Sequence, residues 1–298
     1  KLLTSLGNNP YMLKLYPYFI SIIFTNAIII EINKGKINML NDIFLFSKSY
    51  LSISQKYVFL SLIMILNNSN KYWNLVPTIL ITFLVFFLFG LFQTLVLFLC
   101  ATIQDVEVTA NLAYMHLGII SSLSSIVGLL SVYVFIKIKT HSIKDYLNLY
   151  LPKINTVMPF VLLAICFMVA MEYISNIYPE FFYSDFVIES YRQSKNLPLF
   201  YLGVVLLGPI FEEVLFRGFL FKGIERSNFG SHGAVFISAI LFSIVHIQYG
   251  VYILLFMMFP IALLLGYARL KSGSLILPIL IHMINNLATC IVTHFEVY

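Results

Sequence analysis

The chain has 298 residues, of which 60% are hydrophobic, 16% aromatic and only 10% charged, and its 18 basic and 13 acidic residues leave a net charge of +5. Soluble globular domains carry about 25% charged residues, so too little polar side chain is present to cover a water-facing surface, and a soluble enzyme is excluded. The small positive balance, without a dense Lys/Arg cluster, also excludes nucleic acid as a partner.

A helix needs about 20 mostly apolar residues to cross the hydrocarbon core. Apolar runs predict spans at 15–30, 72–104, 112–136, 157–174, 199–221, 233–248, 251–268 and 274–293. The first is short and is bounded by Lys14 and Glu31. The apolar stretch 57–66 has about half the required length and reads as an interfacial or re-entrant helix. The expected fold is all-α, a polytopic transmembrane helix bundle of about eight spans plus that interfacial or re-entrant helix. It divides into N-terminal helices over 1–155 and a C-terminal bundle over 156–298. The connections at 248–250 and 271–273 are so short that the last helices must be antiparallel neighbours. Cys100, Cys166 and Cys290 sit inside apolar runs and read as small buried hydrophobes, not as a disulfide framework.

Lys and Arg accumulate in alternate loops: Lys137, Lys139, Lys144 and Lys153, then Lys222 and Arg226, then Arg269 and Lys271. These loops are expected in the cytoplasm, and the one from Lys137 to Lys153 is expected to touch anionic lipid. Asp105 and Glu107, and the mixed segment from Glu172 to Lys195, fall on the other side. The basic stretch 34–71 joins the inner side if 57–66 does not cross, which places both ends of the chain outside. The expectation is an integral multi-pass protein of a bacterial plasma membrane.

An ionisable group at the bilayer centre costs about 3 kcal/mol on insertion scales, so its presence there asks for a reason. The run 199–221 contains Glu212, Glu213 and Arg217. Glu213 and Arg217 are four apart with the acid first, the favourable order for an ion pair on one helix face. Glu212 lies about 100° away around the helix and is the carboxylate left for a cavity. His246 follows Phe242 by four residues in the run 233–248, and His282 and Asn286 share a face of the last run. Counted from the basic ends of their helices, Glu212, His246 and His282 lie about 15, 20 and 14 Å deep. Three helices place polar groups at one level, as a shared site requires.

Burial without a cationic partner favours a neutral carboxyl, and an adjacent imidazole can share its proton. Glu212 and His246 are thus expected to activate a water for attack on a peptide carbonyl, with His282 and Asn286 donating to the oxyanion. No Ser or Cys stands beside them, so a covalent nucleophile is not supported. No cofactor is required on this reading. If the chemistry is metal-dependent, zinc held by Glu212, His246 and His282 is the arrangement to consider, although HExxH is absent. A proton-coupled transporter would also place Glu and His at the midplane, but no internal repeat is present.

Glu212-Glu213-x-x-x-Arg217, Phe242-x-x-x-His246 and His282-x-x-x-Asn286, in order on successive apolar helices, resemble the CAAX protease and bacteriocin-processing family, also called Abi proteins. The resemblance covers 197–292. It implies an intramembrane endopeptidase, glutamate-dependent or metal-dependent, in which Glu212 and His246 activate water and His282 and Asn286 form an oxyanion hole. It further implies a peptide or lipidated protein substrate reached from the cytoplasmic side. A non-proteolytic immunity or scaffold protein of the same family would keep the same motifs.

Overall fold

The computed structural model describes residues 71–140 and 142–297, which belong to one compact unit, Ser69–Tyr298. The predicted span at 15–30 and the stretch at 57–66 lie outside the described residues. Among the described residues every regular element is helical, as a chain in lipid requires when each backbone group must be satisfied internally. In chain order they are α1 (Leu75–Gln104), α2 (Ala110–Lys139), α3 (Ile143–Leu147), α4 (Ile154–Ile177), α5 (Pro179–Phe182), α6 (Asp185–Arg192), α7 (Leu197–Glu225), α8 (Gly230–Ile244), α9 (Val251–Ser272) and α10 (Ile276–Val297). Six of them, α1, α2, α4, α7, α9 and α10, are long and apolar enough to cross a membrane.

The helix ends follow local chemistry. Thr109 caps α2 by accepting from Leu112 N–H, and Lys137 and Lys139 stand in its last turn, where they complement the helix dipole. Asp105 closes α1 in the left-handed region at φ 53°, with its N–H returned to Ala101 O and Thr102 O. Gly273 turns α9 toward α10 at φ 65°, a conformation that glycine adopts without penalty. α4 buries only Ala164 and shows its other faces outward, which explains its uniformly apolar surface.

The predicted span 233–248 needs correction. Its helix, α8, has 15 residues, about 22 Å of rise, and alone falls short of the roughly 30 Å hydrocarbon core. It stops because His246 N–H tightens onto Ser243 O at 3.0 Å, while its side-chain Nδ1 donates to Phe242 O at 2.7 Å. His246 thus caps its own helix from a turn, with φ −104° and ψ 19°, and is not a mid-span residue.

α2 and α7 meet through small residues. A Cβ on Gly118 would lie 2.5 Å from Phe200 N, one on Gly203 2.7 Å from Gly118 O, and one on Gly128 2.3 Å from the Phe211 ring. Membrane helices associate by such close backbone approach, since no hydrophobic drive acts between apolar surfaces in lipid. The contact fixes Phe211, and with it the neighbouring Glu212.

Candidate active site

α7 carries the site on a helix of varying width. It is α-helical at Leu197–Tyr201, widens to a π-helix over Leu202–Leu207, narrows over Gly208–Glu213, widens again over Val214–Leu220 and ends α-helical at Phe221–Glu225. The first widening follows from Pro209. Gly208 N–H reaches back five residues to Gly203 O, Pro209 has no N–H, and Val204 O is passed over. Asn286 Nδ2 on α10 donates to that carbonyl at 2.9 Å. In the second widening Phe221 N–H reaches Phe216 O, and Arg217 O is left to Arg269 Nε on α9 at 3.1 Å. Two polar side chains on neighbouring spans thus satisfy the carbonyls that the widened helix releases.

Glu213 is fully buried, and its Oε1 accepts from Arg217 Nη1 and from His282 Nδ1, each at 2.9 Å. Arg217, also fully buried, donates through Nη2 to Ala262 O at 3.0 Å and lies 4.4 Å over the Phe242 ring. Phe242 also contacts both histidines, with ring centroids 4.5 Å from His246 and 5.7 Å from His282. Glu212, His246 and His282 come together at one point. Glu212 Oε2 lies 3.7 Å from His246 Nε2 and 3.8 Å from His282 Nε2.

These contacts settle the tautomers. A carbonyl only accepts, so His246 Nδ1 carries its hydrogen toward Phe242 O. The Glu213 carboxylate, already accepting from Arg217, receives the Nδ1 hydrogen of His282. Both rings so held turn their Nε2 atoms toward Glu212. Glu212 Oε2 is itself buried and has no hydrogen-bond partner among the described residues. The gaps of 3.7 and 3.8 Å between Glu212 Oε2 and the two Nε2 atoms are ones that a water would bridge.

Asn286 stands one turn beyond His282 on α10, and its observed contact is to the α7 backbone rather than to Glu212. Its amide nitrogen has two hydrogens, only one of which Val204 O can occupy. Sequence reasoning paired Glu213 with Arg217 alone and missed its bond to His282, because no spacing rule links residues on separate helices. It also missed Tyr249, whose ring stacks on His246 at 5.8 Å and 11°. The three-residue offset within a tight turn was the available signal. His116, for which the sequence offered no partner, accepts from Gln104 Nε2 at 2.7 Å, and Lys195 Nζ donates to Gln104 Oε1 at 2.9 Å.

Residues 194–288 match the family described as type II CAAX prenyl endopeptidase Rce1-like, consistent with the family that the three motifs resemble. The chain is also 37% identical over 95 residues to an uncharacterized 24.3 kDa protein of Escherichia coli, an alignment that spans 30% of this chain and 43% of that relative. No solved structure matches. The matched segment contains all seven residues of the three motifs and runs from just before α7 into α10.

Proposed function

We propose that the chain is an intramembrane endopeptidase that hydrolyses a peptide bond of a membrane-associated or lipidated substrate with a water activated by Glu212 and His246. The observation that carries this reading is the convergence of Glu212 Oε2, itself a buried atom, with two Nε2 atoms at 3.7 and 3.8 Å between apolar helices. The match of 194–288 to a CAAX prenyl endopeptidase family supports the same reaction class and a prenylated or otherwise membrane-held substrate.

In the mechanism, a water donates one hydrogen to Glu212 and the other to His246. Glu212 takes a proton as the water oxygen bonds to the carbonyl carbon, and the negative charge develops on the carbonyl oxygen. His282, donating from Nε2 with its charge compensated by Glu213 at Nδ1, and the second N–H of Asn286 stabilise that oxyanion. Collapse breaks the carbon–nitrogen bond, and the proton held by Glu212 passes to the departing amine.

Zinc is the competing reading. The donor types of Glu212, His246 and His282 suit it, and metal-bound histidines are held from outside at the second nitrogen as these are. Bound there, the ion would polarise the same water. On the favoured reading the activating role belongs to the carboxylate, and HExxH, the commonest zinc-protease pattern, is absent from the sequence.

The test is cleavage of candidate peptides by purified protein, comparing Glu212→Ala with Glu213→Ala. The expected result is a folded Glu212→Ala protein without turnover and a Glu213→Ala protein impaired mainly through lost stability. Full activity of Glu212→Ala would overturn the mechanism. Inactivation by a chelator, reversed by zinc, would move Glu212, His246 and His282 into ligand roles.

A further inference from the structure

A second constellation lies away from the active site, where α7 and α9 finish and α1 begins. Tyr72, just before α1, is the centre of a ring of cations. Lys71 Nζ lies 5.6 Å, Lys222 Nζ 5.8 Å and the Arg226 guanidinium 4.7 Å from its ring centroid. The ring packs on Tyr146 of α3 at 5.0 Å. The adjoining Trp73 is 4% exposed and donates from Nε1 to Phe135 O at 2.9 Å, which anchors the segment to α2. Tyr72 is thus held on a fixed platform.

Arg269 adds a fourth cation beneath this ring. It is 3% exposed, lies 5.8 Å from the Phe221 ring centroid, and interacts electrostatically with Glu225 and Tyr72. Its Nε is used by Arg217 O, while its Nη2 is buried with no hydrogen-bond partner among the described residues. A buried guanidinium nitrogen without an acceptor is uncommon, because leaving such a donor unmet is costly.

The acidic groups nearby do not balance these charges. Glu225 accepts from Lys222 at 3.0 Å and from Ser231 Oγ at 3.4 Å. Asp145 accepts from Tyr150, and that bond first, then Ser142 and the charges of Lys71 and Lys144, hold its carboxyl below the usual range. Among the described residues, the acidic groups recorded against Lys71, Lys144, Lys222, Arg226 and Arg269 are Asp145 and Glu225, a surplus of three positive charges. The quadrupole of a single ring attracts each cation weakly and cannot offset their mutual repulsion near a low-dielectric boundary.

We propose that Tyr72, Lys71, Lys222, Arg226 and Arg269 form a binding site for the phosphate of an anionic phospholipid headgroup. A phosphodiester supplies the negative charge that the cluster lacks and acceptor oxygens suited to guanidinium forks. The cluster stands at the ends of spanning helices, where basic pockets between helices meet headgroups. The apolar faces of α1 and α2 beside it, with Leu80, Phe83, Leu130 and Val134 exposed, offer a surface for the acyl chains. This inference is independent of the proposed endopeptidase chemistry.

Thermal unfolding of the purified full chain in neutral detergent tests it, with added phosphatidylglycerol, phosphatidylcholine or inorganic phosphate. Phosphatidylglycerol at ten times its Kd is expected to raise the midpoint by about 3–6 °C, and phosphatidylcholine is expected to leave it unchanged. The double variant Lys222→Gln, Arg226→Gln is expected to lose most of that rise. Arg226→Gln alone, at an exposed position, keeps the fold and is expected to retain less phosphatidylglycerol by native mass spectrometry. Equal stabilisation of wild type and variants, or no rise in wild type, would overturn the site. A rise with inorganic phosphate equal to that with phosphatidylglycerol would overturn the lipid as its source.

Discussion

Two adjacent carboxylates on one helix have been given different work by their surroundings. Glu213 is enclosed and accepts from both Arg217 and His282, whereas Glu212, a quarter exposed, faces the Nε2 atoms of two histidines. Replacing Glu213 by Ala leaves Arg217 as an uncompensated buried charge and frees the His282 ring. The expected loss is about 3–5 kcal/mol, read as a lower unfolding midpoint. Glu212→Gln keeps size and polarity, so the midpoint should stay near that of wild type while turnover disappears. Arg269→Leu removes the donor to Arg217 O and should cost about 1–3 kcal/mol, measured the same way. The Glu213–Arg217 pair was legible because a four-residue spacing is a helix rule. The Glu213–His282 bond was not, because it joins side chains 69 residues apart whose meeting depends on how α7 packs on α10.

At the scale of the element, α7 is shaped by Pro209. Two of the three π-helical stretches among the described residues end two residues before a proline, at Leu207 before Gly208-Pro209 and at Met258 before Phe259-Pro260, where the missing N–H interrupts the ordinary ladder. Pro209→Ala restores a donor that competes with Asn286 for the released carbonyls of α7. The account predicts a fall in turnover at an unchanged or higher unfolding midpoint, and equal turnover would remove the widened helix from the mechanism. Gly118→Ala would place a methyl 2.5 Å from Phe200 N, a backbone atom that cannot step aside. It should destabilise the protein by about 1–3 kcal/mol or more, read by thermal unfolding in detergent. Apolar runs located the spans to within a few residues, since length and charge decide what crosses a bilayer. They overextended α8, because an uncharged run continues through His246 although hydrogen bonds of that residue end the helix.

For the whole molecule, the scarcity of charge carries two kinds of information. Most charged residues mark connections between helices, and only Glu212, Glu213 and Arg217 interrupt the long α7 span between Leu197 and Phe221. The basic connections after α2, α7 and α9 are expected on the cytoplasmic face. A cysteine introduced at Ser227 should react with a membrane-impermeant maleimide in inside-out vesicles and resist it in intact cells; the reverse pattern would invert the topology. That Glu212, His246 and His282 meet was foreshadowed by counting residues along their runs at 1.5 Å each. Their approach to within 4 Å, and the direction of each ring nitrogen, depended on contacts across helices that counting does not reach.

The most direct test of the central claim is peptide hydrolysis by the wild-type protein and Glu212→Gln reconstituted in lipid vesicles at equal folded amounts, each with and without a strong zinc chelator. The account predicts cleavage by wild type in both conditions and none by Glu212→Gln in either. Cleavage by Glu212→Gln at the wild-type rate would contradict it.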